Sequence, residues 1–130
     1  MLFDTCALLW TTLDPDTLSK QEKHIAFKSF EDGQAAVSSI SFWEIGIKIK
    51  KKKLNIGMSL DQYIHKIHQL NGLEIIPVDE AIWIENLNLD WVHRDPANRT
   101  IVATARLRGI PILTKDAIIR DFYPDQGWAE

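Results

Sequence analysis

The chain has 130 residues, 45% of them hydrophobic, which fits one compact domain over residues 1–130 with no linker or low-complexity stretch. A net charge of -3 excludes nucleic-acid binding over the whole surface, although it permits a basic groove beside an acidic cleft. The single cysteine, Cys6, excludes an intramolecular disulfide, and neither a signal peptide nor an apolar span of membrane length is predicted. We therefore expect a protein of the reducing cytoplasm with no membrane partner.

The first half of the chain predicts two short buried strands, each followed by a helix. Ser19 and Glu22 have capping-box spacing, which marks the start of a further helix between the strands. Lysines gather at the end of the helix after the second strand, where they complement the negative end of the helix dipole. The predicted elements are a strand at Leu2-Phe3, a helix from Thr5, a helix from Ser19 to about Asp32-Gly33, a strand from Ala35 to Ser38, and a helix capped by Ser39 or Ser41.

The second half of the chain continues this alternation. Pro96 suits the first turn of a helix, whereas Pro111 must lie at the beginning or the edge of a strand. Strands that alternate with helices predict an α/β fold, in which a mainly parallel central sheet lies between two helical layers. The predicted elements are a helix capped by Ser59 and ended by Asn71-Gly72, a strand from Glu74 to Val78, a helix capped by Asp79, a helix from Asp95-Pro96 to Gly109, and a strand from Ile110 to Leu113.

Three isolated acids, Asp4, Glu44 and Asp116, each follow a short apolar run. The carboxyl ends of parallel strands meet in one crevice, so these acids could converge there on one hard cation. Each acid also has a purely structural interpretation as a helix cap or turn former. For Glu44 that interpretation is favoured, because it stands three residues after Ser41 in capping-box spacing.

The basic run Lys50-Lys51-Lys52-Lys53 could steer a phosphate-bearing polymer, but a solvated helix end is the more common use of such a run. Tryptophans could stack on bases, and we expect only Trp91 and Trp128 to be exposed enough to do so. His93 has no second histidine at ligand spacing, which argues against zinc.

Four segments of the chain together form a known pattern. Asp4-Thr5-Cys6-Ala7-Leu8-Leu9-Trp10 matches Asp-Thr-x-Ala-Leu-Leu-Trp, and the segment from Ser41 to Lys48 matches Ser-x-Trp-Glu-Ile-x-x-Lys. The segments from His93 to Ala105 and from Leu113 to Asp116 follow in the same order and at similar spacing. Over essentially the full chain, this combination resembles the PIN-domain ribonucleases, and more narrowly the VapC-type toxins of bacterial toxin–antitoxin pairs. The combination is specific, whereas each segment alone is weak.

The resemblance implies a site for one or two Mg²⁺ or Mn²⁺ ions, with Asp4, Glu44 and Asp116 as ligands. The family usually has Asp-Pro-x-Asp-Arg where this chain has Asp95-Pro96-Ala97-Asn98-Arg99, so Asn98 replaces an expected acid. An amide oxygen can still bind a hard cation, but it carries no charge and accepts no proton, which should weaken both metal binding and water activation. Asp95 could substitute for the missing acid, although a helix cap is the favoured role.

Three further residues have supporting roles in this interpretation. Thr114 is predicted to hydrogen-bond a ligating acid or water, in competition with a turn-forming role. Arg94 and Arg99 are predicted, from the resemblance, to contact substrate or to pair with the acids.

The function that the resemblance implies is that of a metal-dependent endoribonuclease toxin. It would cleave structured RNA such as tRNA, leave a 5′-phosphate, form a homodimer and be silenced by a cognate antitoxin whose peptide arm blocks the acidic groove. The first alternative is a catalytically impaired PIN domain that binds RNA or antitoxin without efficient cleavage, because Asn98 replaces an acid. A more distant alternative is a small α/β phosphoacceptor module, for which the chain supplies no clear acidic pair.

Overall fold

A computed structural model of the protein describes residues 1–128 and contains a four-stranded parallel sheet in the order β3-β2-β1-β4. The helices and strands in chain order are β1 (Leu2–Phe3), α1 (Thr5–Leu13), a short 3-10 turn (Pro15–Thr17), α2 (Lys20–Glu31), β2 (Ala35–Ser38), α3 (Ile40–Lys50), α4 (Leu60–His68), β3 (Leu73–Ile76), α5 (Glu80–Asn88), α6 (Pro96–Arg108), β4 (Ile112–Leu113) and α7 (Ala117–Phe122). No helix of residues 1–128 is both long and apolar enough to cross a membrane.

Helices cover both faces of the sheet because successive side chains of a strand point to opposite sides. Phe3 and Val37 pack in one core cluster with residues of α1 to α4. Leu2 and Ala36 pack in a second cluster with residues of α5, α6 and α7. Strand β1 lies between β2 and β4 and is completely buried. This architecture confirms the predicted three-layer α/β/α fold with a parallel central sheet.

Side-chain caps set most helix starts, as predicted. Ser19 and Ser59 each form a complete capping box at the start of α2 and α4. Asp79 accepts a hydrogen bond from the Ile82 amide at 3.0 Å and caps α5. At its other end, α6 stops at Gly109, whose φ of 63° lies in the left-handed region that glycine adopts without strain.

The start of α3 and two strand boundaries differ from the prediction. Helix α3 begins at Ile40, and the favoured capping box of Ser41 with Glu44 is absent because the Ser41 hydroxyl is buried and accepts a hydrogen bond from Thr5 at 2.9 Å. Strand β3 ends at Ile76, just before Pro77, which has no amide hydrogen to donate. Strand β4 begins after Pro111 for the same reason.

The prediction of which tryptophans are exposed was wrong. Trp128 is only 5% exposed and belongs to the first core cluster, and half-buried Trp91 stacks on Phe122 with ring centroids 4.5 Å apart. The exposed side chains are instead Trp43 on α3, at 52%, and Trp83 on α5, at 45%. Both helices turn their other faces toward the core, so their tryptophans point away from it.

Candidate active site

The four residues predicted as metal ligands line one cavity of about 340 Å³ at the carboxyl ends of β1 and β4. We call it the acid cavity. Asp4 follows β1, Asp116 follows β4, and Glu44 and Asn98 project from the early turns of α3 and α6. The residues that line the cavity are Asp4, Thr5, Cys6, Trp10, Glu44, Lys48, Asp95, Asn98, Lys115 and Asp116. The fold therefore brings together acids that lie up to 112 positions apart in the sequence.

Asp4 is the most deeply buried acid of the cavity, with 6% of its surface exposed. It caps α1 by accepting a hydrogen bond from the Ala7 amide at 2.8 Å. Burial raises the pKa of Asp4 to about 6, while hydrogen bonds from Thr114 and Ala7 lower it and the charges of Asp116 and Glu44 raise it further. The carboxylate is thus held in an environment that disfavours its own negative charge.

Thr114 connects two of the acids. Its buried hydroxyl donates a hydrogen bond to Oδ2 of Asp4 and accepts one from the Asp116 amide at 3.0 Å. Asp116 in turn caps α7 through the Ile118 amide at 2.8 Å. The predicted hydrogen bond of Thr114 to a site acid is therefore present, and it fixes the position of Asp4 relative to Asp116.

Two lysines that were not predicted as site residues, Lys48 and Lys115, also line the acid cavity. Lys48 Nζ is 3.8 Å from Glu44, one helical turn earlier on α3, and this i, i+4 spacing was visible in the sequence. Lys115 Nζ forms an ion pair with Glu22 at 3.1 Å and lies 5.2 Å from the Trp10 ring centroid. The acids of the cavity thus have two positive charges nearby.

Asp95 acts as a helix cap, whereas Asn98 lines the acid cavity as a candidate ligand. Asp95 caps α6 by accepting a hydrogen bond from the Asn98 amide at 2.9 Å, which is the favoured structural role, and its side chain also borders the cavity. Nδ2 of Asn98 lies 3.1 Å from Nε2 of His93. Because this contact occupies the nitrogen end of the amide, Oδ1 is the end that remains available to a ligand.

Arg99 does not pair with the acids, contrary to one of its predicted roles. Its guanidinium makes five hydrogen bonds, of 2.6 to 3.3 Å, to groups of α5 and of the loop between α5 and α6. The acceptors are the side-chain and backbone oxygens of Asn86 and the backbone oxygens of Leu89, Trp91 and His93. Its role is to hold this loop, which carries Arg94 as an exposed side chain.

The four lysines Lys50 to Lys53 are exposed at the end of α3. Two of them, Lys51 and Lys53, line a groove of about 280 Å³ next to the acid cavity. We call it the tryptophan groove, because Trp43 forms part of it. Its lining residues are Trp43, Glu44, Ile47, Lys48, Lys51, Lys53, Asp95, Pro96 and Ala97, so three of them are shared with the acid cavity.

The donor atoms of the acid cavity fit a hard divalent cation. Carboxylate and amide oxygens are the ligands that Mg²⁺ and Mn²⁺ prefer, and a cation would stabilise the negative charge of Asp4, which burial disfavours in spite of its two hydrogen bonds. Within residues 1–128, no group of three His, Cys, Asp or Glu side chains is placed so that it could hold a metal ion by itself. A Mg²⁺ ion keeps several of its waters and needs only one or two direct carboxylates, so the acids of the cavity would hold it partly through water.

Fold and site together define an α/β protein with an acidic cavity at the carboxyl ends of its parallel strands. The family model of the PIN domain matches residues 1–123, and the chain belongs to this family, whose members are generally nucleases. Because the chain belongs to the PIN family, the alternative of a small α/β phosphoacceptor module was wrong.

A similar fold occurs in a chain of a solved toxin-antitoxin complex from Klebsiella pneumoniae. The two chains are 22% identical with a TM-score of 0.64, and the match covers 96% of this chain and 93% of that chain. No curated protein matches the sequence. At this level of identity, the similarity to the Klebsiella chain establishes a common fold.

Proposed function

We propose that this PIN domain is a metal-dependent endoribonuclease and the toxin of a toxin–antitoxin pair. The observation that carries the proposal is the acid cavity, in which Asp4, Glu44, Asp116 and the amide of Asn98 surround one space. Membership of a family of nucleases supports the hydrolytic chemistry. The similar fold in the Klebsiella pneumoniae toxin-antitoxin complex supports the toxin role and a cognate antitoxin as partner.

The residues that would hold Mg²⁺ or Mn²⁺ are Asp4, Glu44, Asp116 and Asn98, directly or through water. When bound, the ion supplies positive charge for the scissile phosphate and lowers the pKa of a water nucleophile. Thr114 holds Asp4 in place for this purpose through its hydroxyl. Lys48 and Lys115, at the edge of the cavity, would attract and position the phosphate before cleavage.

The proposed substrate is structured RNA such as tRNA, cleaved to leave a 5′-phosphate. The exposed lysines Lys50 to Lys53 support this substrate, because the protein has an overall negative charge and this run places four positive charges together near the cavity. Arg94, exposed on the loop that Arg99 holds, is proposed to contact the RNA backbone as well. We also propose that the protein is cytoplasmic and forms a homodimer.

Asn98 favours a second candidate function. An amide at this position removes one negative charge from the metal ligands, so the domain could bind RNA or antitoxin and cleave only inefficiently. The two candidates predict different effects of restoring the acid by Asn98→Asp.

The test is cleavage of a folded tRNA with Mg²⁺ or Mn²⁺ by the native chain, Asn98→Asp and Asp4→Ala. A metal-dependent product that disappears in Asp4→Ala establishes the endoribonuclease. If only Asn98→Asp produces it, the native chain is the impaired form. If none of the three cleaves any RNA, the nuclease proposal fails.

The toxin role has an independent test. Expression of the native chain should arrest growth, and Asp4→Ala should not. Coexpression of the small gene next to it should relieve the arrest. Growth that is unaffected by a chain shown to cleave RNA would contradict the toxin role while leaving the nuclease in place.

A further inference from the structure

The tryptophan groove contains an aromatic side chain that the fold does not use. Helix α3 buries Ser41, Phe42 and Ile45, whereas Trp43 lies on another side of the helix with 52% of its surface exposed. Exposure alone does not indicate a function, because single apolar side chains are common on protein surfaces. The informative feature of Trp43 is its place in a groove that shares three lining residues with the acid cavity.

The tryptophan groove contains lysines that continue the line of Trp43 along α3. Trp43, Ile47 and Lys51 follow one another at four-residue spacing, so they form one line along α3. Lys53 lies on the same groove. Within residues 1–128, neither Lys51 nor Lys53 forms an ion pair with a carboxylate. Both ammonium groups are available to an anionic ligand.

The groove also continues the acid cavity. Glu44, Lys48 and Asp95 line both spaces, so a polymer with one phosphate in the acid cavity would extend directly into the groove. An aromatic face next to unpaired lysines is the usual combination for single-stranded nucleic acid, since every base can stack and every phosphate is an anion. Charge and continuity thus indicate the same occupant.

We propose that the tryptophan groove binds the nucleotide next to the scissile phosphate of single-stranded RNA. The base stacks on Trp43, while Lys51 and Lys53 contact the phosphates that flank it. This inference rests on the proposed function, because it places the scissile phosphate in the acid cavity. It adds to the proposed function a subsite that binds an unpaired nucleotide whatever its sequence, through Trp43 and two lysines.

The experiment measures binding of a fluorescein-labelled oligouridine by anisotropy, in EDTA so that no metal-dependent cleavage occurs. Trp43→Leu should weaken binding about 10-fold, and Trp43→Phe, which keeps an aromatic face, should restore most of the affinity. Trp83→Leu is the matched control, because Trp83 is similarly exposed, at 45%, on the separate helix α5. It should leave the affinity unchanged.

The contribution of Lys51 and Lys53 can be measured separately, from the salt dependence of RNA binding. Replacing Lys51 and Lys53 by glutamine should reduce the slope of log affinity against log salt concentration by about 1.4, for two lost phosphate contacts with a single strand. The matched control replaces Lys20 and Lys28, both on α2. It should leave the slope unchanged.

Three results would overturn the inference. Equal losses in Trp43→Leu and Trp83→Leu would show a nonspecific effect, and unchanged affinity in both would show that no base stacks on Trp43. A fall in molecular mass for Trp43→Leu in light scattering, without loss of RNA affinity, would assign this face to protein association. If RNA binding depends on Trp43 but no variant cleaves RNA, the groove is an RNA-binding site and the nuclease proposal fails.

Discussion

Arg99 is partly buried and Asp4 is buried, but the surroundings of the two charges differ. The Arg99 guanidinium donates five hydrogen bonds to oxygens of α5 and of the loop that follows it. Asp4 accepts hydrogen bonds from Ala7 and Thr114, yet it faces the like charges of Glu44 and Asp116. A charge with all its hydrogen bonds formed stabilises the fold. Neighbouring carboxylates repel one another and reduce stability until a bound cation offsets their charge.

The largest expected effect is that of removing Arg99. Arg99→Ala should destabilise the protein by about 3 kcal/mol or more, because it leaves several partly buried oxygens without a donor. The free energy of unfolding in urea measures the change. Arg94→Ala, on the exposed part of the same loop, is the control and should change stability by no more than about 0.5 kcal/mol. Similar small losses for both variants would contradict the structural role given to Arg99.

The next effect tests the hydroxyl that supports Asp4. Thr114→Val keeps the shape of the side chain but removes the donor to Asp4 and the acceptor for the Asp116 amide. We expect a loss of about 2 kcal/mol at pH 7.5 in EDTA, since one of these hydrogen bonds goes to a charged group. Thr17→Val is the control, because its hydroxyl bonds an exposed aspartate on the surface. A larger loss for Thr17→Val would refute this ranking.

Asn98→Asp adds a carboxylate to the acid cavity and so tests how its negative charge affects cation binding. The added charge should tighten Mn²⁺ binding by about 10-fold, because ligand charge is a main determinant of affinity for hard cations. Electron paramagnetic resonance of free Mn²⁺ measures the affinity without any need for cleavage. Asn88→Asp, at the end of α5, is the control and should leave the affinity unchanged. Unchanged affinity in Asn98→Asp would remove Asn98 from the proposed ligand set.

Short-range signals made parts of this molecule predictable from the sequence. The capping box at Ser19 and Glu22 and the caps at Asp79 and Asp95 involve residues three positions apart, so local spacing was enough to find them. The acids of the cavity could be grouped because parallel strands end on one side of a sheet.

The features that could not be predicted depend on partners far away in the sequence. The Ser41 hydroxyl bonds Thr5, which lies 36 positions earlier, and this contact removes the expected capping box. The hydrogen bonds of Arg99 depend on the path of a loop that has no regular pattern. The exposure of Trp43 and the burial of Trp128 depend on how each segment packs against the sheet, which composition and periodicity do not determine.

The smallest expected effect has the opposite sign from the first two, because Asp4→Asn should stabilise the metal-free protein. Folding raises the pKa of Asp4 from 3.8 to about 6, so the ionised form is less stable in the folded state than in the unfolded state. This cost is complete above pH 6, decreases between pH 6 and 3.8, and is absent below that range. Removing the charge should add about 1 kcal/mol at pH 7.5, after allowance for the weakened hydrogen bond to Thr114.

Urea denaturation in EDTA at pH 7.5 and at pH 4.5 tests this prediction, since the gain from Asp4→Asn should shrink at the lower pH. The control is Asp90→Asn, an exposed carboxylate between α5 and α6, which should give no gain at either pH. Mn²⁺ should stabilise the native chain more than Asp4→Asn, because only the native chain keeps the buried carboxylate as a ligand. A gain that is equal at both pH values would mean that the charge of Asp4 is not its cause, and the contrast with Arg99 would then not hold.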